Sequence, residues 1–129
     1  MNERPTVADA SAILALLKNE RFSYFDPARL FRSTISAVNL SEVLERLRSG
    51  GMGEAAADEA VETLSLEVVD FSASQARIAA YLRPYTRQAG LSLGDCACLA
   101  LGLELGMAVV TADRAWARID VGVDIILIR

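Results

Sequence analysis

The chain switches repeatedly between two apolar periodicities, and this switching constrains its fold more than any other feature. Short apolar runs of strand length occur at Val7–Ala8, "STIS" (33 to 36), "LEVVDF" (66 to 71), "MAVVTAD" (107 to 113) and "VDIILIR" (123 to 129). Stretches with helical spacing lie between most of them. In "AVNLSEVLERLRSGG", Leu40, Val43, Leu44 and Leu47 form one stripe, and Gly50 and Gly51 stop the helix. Further helices are predicted for Ala12 to Leu17, "GEAAADEAVETLSL", the segment from Ser72 to about Gln88, and "LSLGDCACLALGLELG". Asp26 before Pro27 reads as the cap and first position of a short helix in "DPARLFRS". Ser72 and Gln75 have capping-box spacing, and Pro84 predicts a kink in the helix they start. Strands separated by helices of this length imply parallel β-α units: an α/β sandwich built on one mainly parallel sheet. The 129 residues, without repeat or linker, predict a single domain over 1–129.

Composition narrows the chemistry. There is no histidine, which removes histidine acid-base catalysis, histidine-ligated zinc and every Ser-His or Cys-His nucleophile. Cys96 and Cys98 are two apart on a predicted helix, so their side chains diverge by about 200°. Buried thiols in a reducing compartment are the expectation. The net charge of −4 argues against a protein that coats nucleic acid. It leaves room for an enzyme acting on nucleic acid, because divalent cations invert the field of a carboxylate site. Lys18 is the only lysine; the other basic side chains are arginines, suited to carboxylate or phosphate. Arg29, Arg32, Arg46, Arg48, Arg87 and Arg114 are candidates for phosphate contact. At 53% hydrophobic residues the chain is apolar for its size, which predicts buried strands and an interface with another chain, such as a homodimer. No apolar run is long enough to span a bilayer and the first residues lack a secretory pattern, so a cytoplasmic location is expected.

Four acids, each unremarkable taken alone, bear weighing one at a time. In "TVADASAILALL", Asp9 ends the first strand just before a helix; alone it reads as an N-cap. Asp113 follows the strand in "VVTADRAW" and could cap the turn after it. Asp95 lies three residues after Ser92, a capping-box spacing, yet its neighbours Leu93, Cys96, Ala97 and Leu99 are apolar. A carboxylate there is unfavourable unless paired or metal-bound. Glu42 lies opposite the apolar stripe of its helix, beside Glu45 and Arg46, and periodicity alone makes it solvated. In open parallel sheets, ligands bind beyond the carboxyl ends of the strands, where Asp9 and Asp113 fall.

"VADASAILALL", "SAVNLSEVLERL", "LSLGDCACLALGLELGMAVVTADRAW" and "VDIILIR", in this order and spacing, resemble the motifs of PIN-domain ribonucleases, in particular VapC-type toxins of toxin–antitoxin pairs. Residues 50 to 90 carry little of the resemblance. It implies a PIN-like α/β/α sandwich and a catalytic, metal-binding set of Asp9, Glu42, Asp95 and Asp113. Asp9 and Asp95 would be the primary ligands, with Ser11, Asn39 and Thr111 in support. Ser11 and Thr111 would orient carboxylates or touch phosphate; local capping is an equal alternative. The implied cofactor is Mg²⁺ or Mn²⁺, hard cations that take carboxylates, water and phosphate oxygen. Metal-activated water would attack a phosphodiester in structured RNA, of the transfer or ribosomal class, with no histidine needed. The implied partner is a small antitoxin, through which DNA would be met only indirectly.

Other readings fit less well. A receiver-type phosphoacceptor needs a lysine late in the chain, and a dehalogenase-like phosphatase needs an acid where Ser11 stands. "RSGGMGE" lacks the Lys-Ser/Thr end of a phosphate loop. The main alternative is a PIN-like module that binds antitoxin or RNA with little or no catalysis.

Overall fold

A computed structural model describes residues 4–129. Its elements in chain order are β1 (Thr6–Ala8), α1 (Ala10–Leu17), β2 (Thr34–Ser36), α2 (Ala37–Ser49), α3 (Glu54–Glu62), β3 (Glu67–Val69), α4 (Ala73–Thr86), α5 (Leu93–Leu105), β4 (Ala108–Thr111) and β5 (Ile125–Leu127). Short 3-10 turns occupy Pro27–Leu30, Arg87–Ala89 and Arg114–Arg118. Apart from β1, which begins one residue before the Val7–Ala8 run, the strands are shorter than the apolar runs that announce them. Only three or four residues of each longer run find a ladder partner. The helix containing Pro84 continues to Thr86 before tightening into a 3-10 turn.

All four strand pairings are parallel, in the order β3-β2-β1-β4-β5. The expected α/β/α sandwich with a central parallel sheet is what the chain adopts. Alternation along β1 and β4 explains the two outer layers, because successive side chains point to opposite faces. Ala8 and Val110 join Ile13, Ile35, Val43 and Leu47 in a core under α1, α2 and α3. Val7 and Val109 join Ala79, Leu82, Cys96, Leu99 and Trp116 in a second core under α4 and α5. Both cysteines are buried and unbonded to each other, as expected.

The strand order reverses between β1 and β4, the kind of switch point where open parallel sheets form a crevice. Ala8 pairs with Val110, and the Asp9 N–H donates to the Val110 carbonyl at 3.0 Å. That bond carries the ladder one step past β1 and sets Asp9 beside the end of β4. Gly106 closes α5 in the left-handed region (φ 66°), which turns the chain into β4. Among the described residues no helix is long and apolar enough to cross a membrane.

Candidate active site

Four acids from four separate segments meet at the carboxyl edge of the sheet. Asp9, Glu42, Asp95 and Asp113 line one cleft of about 170 Å³, together with Ala10, Ser11, Leu14 and Arg46. A larger cavity of about 450 Å³ opens at the opposite edge, beside Thr6, Met107, Ala108 and Asp124. It has none of these acids, and chemistry rather than size selects the smaller cleft.

Asp9 is the most tightly held. It is 3% exposed and caps α1 by accepting the Ala12 N–H at 2.8 Å. The Ser11 hydroxyl lies 2.8 and 2.9 Å from its two oxygens, and the Thr111 hydroxyl donates to Oδ2 at 2.5 Å. Those hydroxyls are themselves fixed: Ser11 Oγ accepts the Ala112 N–H at 2.9 Å, and Thr111 Oγ1 accepts the Asp113 N–H at 3.0 Å. Both hydroxyls lie within hydrogen-bond distance of Asp9, and they also lie 3.2 Å from each other. Three donors against about four acceptor sites leave a carboxylate lone pair free. Burial pushes the Asp9 carboxyl up to about 6; the hydrogen bonds from Thr111, Ala12 and Ser11 oppose that rise, and the charge of Asp95 adds to it.

Capping and cleft formation, which compete as readings of the sequence, coexist here. Asp95 completes a capping box: its backbone N–H donates to Ser92 Oγ at 3.1 Å, and its Oδ2 accepts the Ser92 N–H at 2.9 Å. Its Oδ1 has no hydrogen bond among the described residues. Burial raises the Asp95 pKa, with the charge of Asp113 in the same direction; the Ser92 hydrogen bonds and the Arg83 guanidinium act against it. Asp113 caps the turn Arg114–Arg118 by accepting the Ala115 N–H on Oδ1 at 2.9 Å. In each case one oxygen holds local structure and the other remains for a ligand.

Glu42 corrects the sequence pattern. The apolar stripe predicts it solvated and no better placed than Glu45. The buried face of α2 instead runs through Asn39, Val43 and Leu47, and Glu42 is only partly exposed beside it. Asn39 Nδ2 donates to Glu42 Oε1 at 2.7 Å and to the Gly94 carbonyl at 3.1 Å, tying α2 to α5. An asparagine on a buried helix face was the available signal, since a buried amide must find partners. Gly94 was missed altogether. A Cβ on it would lie 2.6 Å from Glu42 Oε2, so only glycine lets this carboxylate approach α5. Its signal was a glycine in the first turn of an otherwise Ala/Leu-rich helix, where glycine is unfavourable.

The donor set suits a hard divalent cation: carboxylate oxygens, no sulfur and no imidazole. The free lone pair of Asp9 and the open oxygens of Asp95 and Asp113 fit that group. Among the described residues no three of the acids close tightly enough on one point to hold an ion unaided. An ion here would therefore take further ligands from water or phosphate.

A family model of the PIN domain matches residues 6–122. No curated protein matches the chain by sequence. Among solved structures it is similar to DNA-bound VapBC from Salmonella typhimurium, with 20% identity over 95% of this chain and 97% of that one, and a TM-score of 0.73. It is also similar to VapBC-5 from Mycobacterium tuberculosis, at 22% identity over 98% and 99% of the two chains, with a TM-score of 0.65. VapC20 of Mycobacterium tuberculosis, a sarcin-ricin-loop-cleaving toxin, is 18% identical over 87% and 93%, with a TM-score of 0.66. At such identities the likeness is one of fold.

Proposed function

The chain belongs to the PIN-domain family, and from that premise we propose that it is a metal-dependent endoribonuclease acting as the toxin of a toxin–antitoxin pair. The observation that carries the reading is the convergence of Asp9, Glu42, Asp95 and Asp113 on one cleft at the sheet's switch point. Similarity to VapBC proteins supports an antitoxin partner, and the sarcin-ricin-loop-cleaving neighbour supports structured RNA as the substrate class.

Asp9 and Asp95 would hold Mg²⁺ or Mn²⁺ directly, with Glu42 and Asp113 acting through water. Such a cation supplies Lewis acidity and a water acidic enough to attack a phosphodiester in line near neutral pH. The rest of the mechanism belongs to the chain. Ser11 and Thr111 fix both oxygens of Asp9, so the carboxylate arrives oriented and needs no reorganisation when charge develops. Asn39 and Gly94 seat Glu42 against the start of α5. Arg46, at the rim of the cleft, offers a guanidinium to the incoming phosphate. A homodimer in the cytoplasm completes the proposal.

The test is incubation of purified, partner-free protein with transfer and ribosomal RNA, in Mg²⁺ or Mn²⁺ and in chelator, beside Asp95→Asn. Discrete fragments that require metal and vanish in the variant are expected. A folded protein that cuts none of these RNAs would turn the reading toward a binding module.

A further inference from the structure

The 24 residues from 71 to 94 contain three arginines, Arg77, Arg83 and Arg87, and no acid, in a chain whose net charge is −4. Most of that segment is α4. Two of the protein's three tyrosines lie on this helix and are among its most exposed side chains, Tyr81 at 73% and Tyr85 at 71%. Their i, i+4 spacing sets them on one face, with Cβ atoms about 6 Å apart. Arg77 lies one turn before Tyr81 on the same face, and Arg77 and Arg87 have no ion pair or side-chain hydrogen bond among the described residues. Tyr85 borders a shallow cavity with Leu82, Val121 and Asp120.

The helix also leads to the acid cleft. α4 and α5 form an antiparallel hairpin: Gln75 at the start of α4 bonds Glu104 at the end of α5, and Thr86 at the end of α4 meets Cys96, next to Asp95. The tyrosine-bearing end of α4 therefore lies at the Asp95 end of α5. Arg83 bonds the Leu91 carbonyl at 2.6 Å and bridges the two helices there.

We propose that Tyr81 and Tyr85, with Arg77 on the same face and Arg87 just past the helix end, form a stacking platform for unpaired bases of the RNA strand that enters the acid cleft. The inference rests on the nuclease reading and adds a substrate subsite to it. Exposed aromatic rings interleaved with arginines match what single-stranded nucleic acid offers, a π-face on every base and a charge on every phosphate. Such stacking tolerates any base, because every base has a π-face. The platform therefore selects looped or unwound segments over continuous duplex. Three arginines and no acid between residues 71 and 94, against the single neighbouring carboxylate of Asp120, give this side of the molecule a basic character that suits a polyanion as its occupant.

Binding of a short fluorescent single-stranded RNA, and of a duplex of the same sequence, is measured by anisotropy in chelator. Tyr81→Leu/Tyr85→Leu keeps apolar area and removes both π-faces. It is expected to weaken single-strand binding about tenfold or more, with little change for duplex. Tyr81→Phe/Tyr85→Phe should bind within about twofold of wild type. Arg77→Gln/Arg87→Gln should flatten the salt dependence by about 0.7 in log-log slope for each phosphate no longer neutralised. Leucine variants that bind single strands as tightly as wild type would overturn the platform, and metal-dependent cutting would then leave the nuclease reading standing. Tyrosine-dependent binding without cutting of any RNA would do the opposite. If Tyr81→Asp/Tyr85→Asp splits an oligomer while RNA affinity per chain is unchanged, the face belongs to a second copy and the proposal fails.

Discussion

Helix α5 carries two glycines where a methyl group would collide at the same distance, and the two collisions differ in kind. At Gly94 the obstacle, 2.6 Å from the virtual Cβ, is Oε2 of Glu42, the free end of a partly exposed side chain. At Gly102 it is Cγ2 of Val109, with the Met107 carbonyl and Val123 Cγ2 each at 3.2 Å, all at the other edge of the sheet. One end of the helix is crowded so that a carboxylate can be positioned. The other is crowded so that a helix can lie close on the sheet. The same residue type serves chemistry at one end and packing at the other, and variants should separate the two.

The largest effect is expected at the acid end. Asp9→Asn should lower RNA cleavage by more than about a hundredfold, since even outer-shell changes at metal sites weaken activity by roughly 10–100-fold. Circular dichroism should show the folded protein unchanged. Full-rate cleavage by Asp9→Asn would remove Asp9 from the mechanism. Gly94→Ala comes next. Glu42 can swing away from the new methyl, so folding survives and helix propensity improves by up to about 1 kcal/mol. Cleavage should nevertheless fall about tenfold or more. A variant that is both stabilised and fully active would break the comparison.

Stability against pH sharpens it from another side. The Asp9 pKa is raised on folding, from 3.8 to about 6. Its burial is therefore free of penalty below pH 3.8, and stability is lost as pH rises through 6. The loss amounts to about 3 kcal/mol at most, at about 1.36 kcal/mol per pH unit. Urea unfolding in chelator should show that decline for the wild type between about pH 4 and 6, levelling off above it. Asp9→Asn should lose the part due to Asp9 and keep a smaller decline from Asp95, whose pKa burial also raises, and Mg²⁺ should restore part of the loss to the wild type. A flat wild-type profile would mean that the Asp9 carboxylate is better solvated than its 3% exposure implies. The smallest effect belongs to the packing end. Gly102→Ala should destabilise by about 1–3 kcal/mol through overpacking. Cleavage per folded molecule should stay unchanged, read from activity normalised to the folded fraction.

Much of this was legible in the sequence, for reasons that can be stated. Asp9 and Asp113 fall at strand ends, where ligands bind in parallel sheets, but each alone reads equally as a cap, and the PIN-like motifs are what singled them out. Asp95 stood out by an apolar neighbourhood. Glu42 did not, because a stripe drawn through Leu40, Val43, Leu44 and Leu47 centres the buried face about 50° around the helix from the observed one through Asn39, Val43 and Leu47. The strand order was also hidden, since it depends on which helices cross to which face. At Ser72 the box is only half formed: Gln75 N–H donates to the serine, but the Gln75 side chain reaches Glu104 instead of turning back. Spacing cannot distinguish a glutamine that caps its own helix from one that ties two helices together.

The pairing of β1 with β4 also sets a schedule. Asp9 lies near the beginning of the chain, while Thr111 and Asp113 lie about a hundred residues later, and Asp9 is fully oriented only when both ends are present. A nascent chain that has reached Gly106 has Asp9, Glu42 and Asp95 but lacks the fourth acid and the strand that aligns the first. Domains assemble from the N-terminus as they are synthesised, and pairings distant in sequence form last. The four-acid cleft is thus assembled only after β4 and Asp113 have been synthesised.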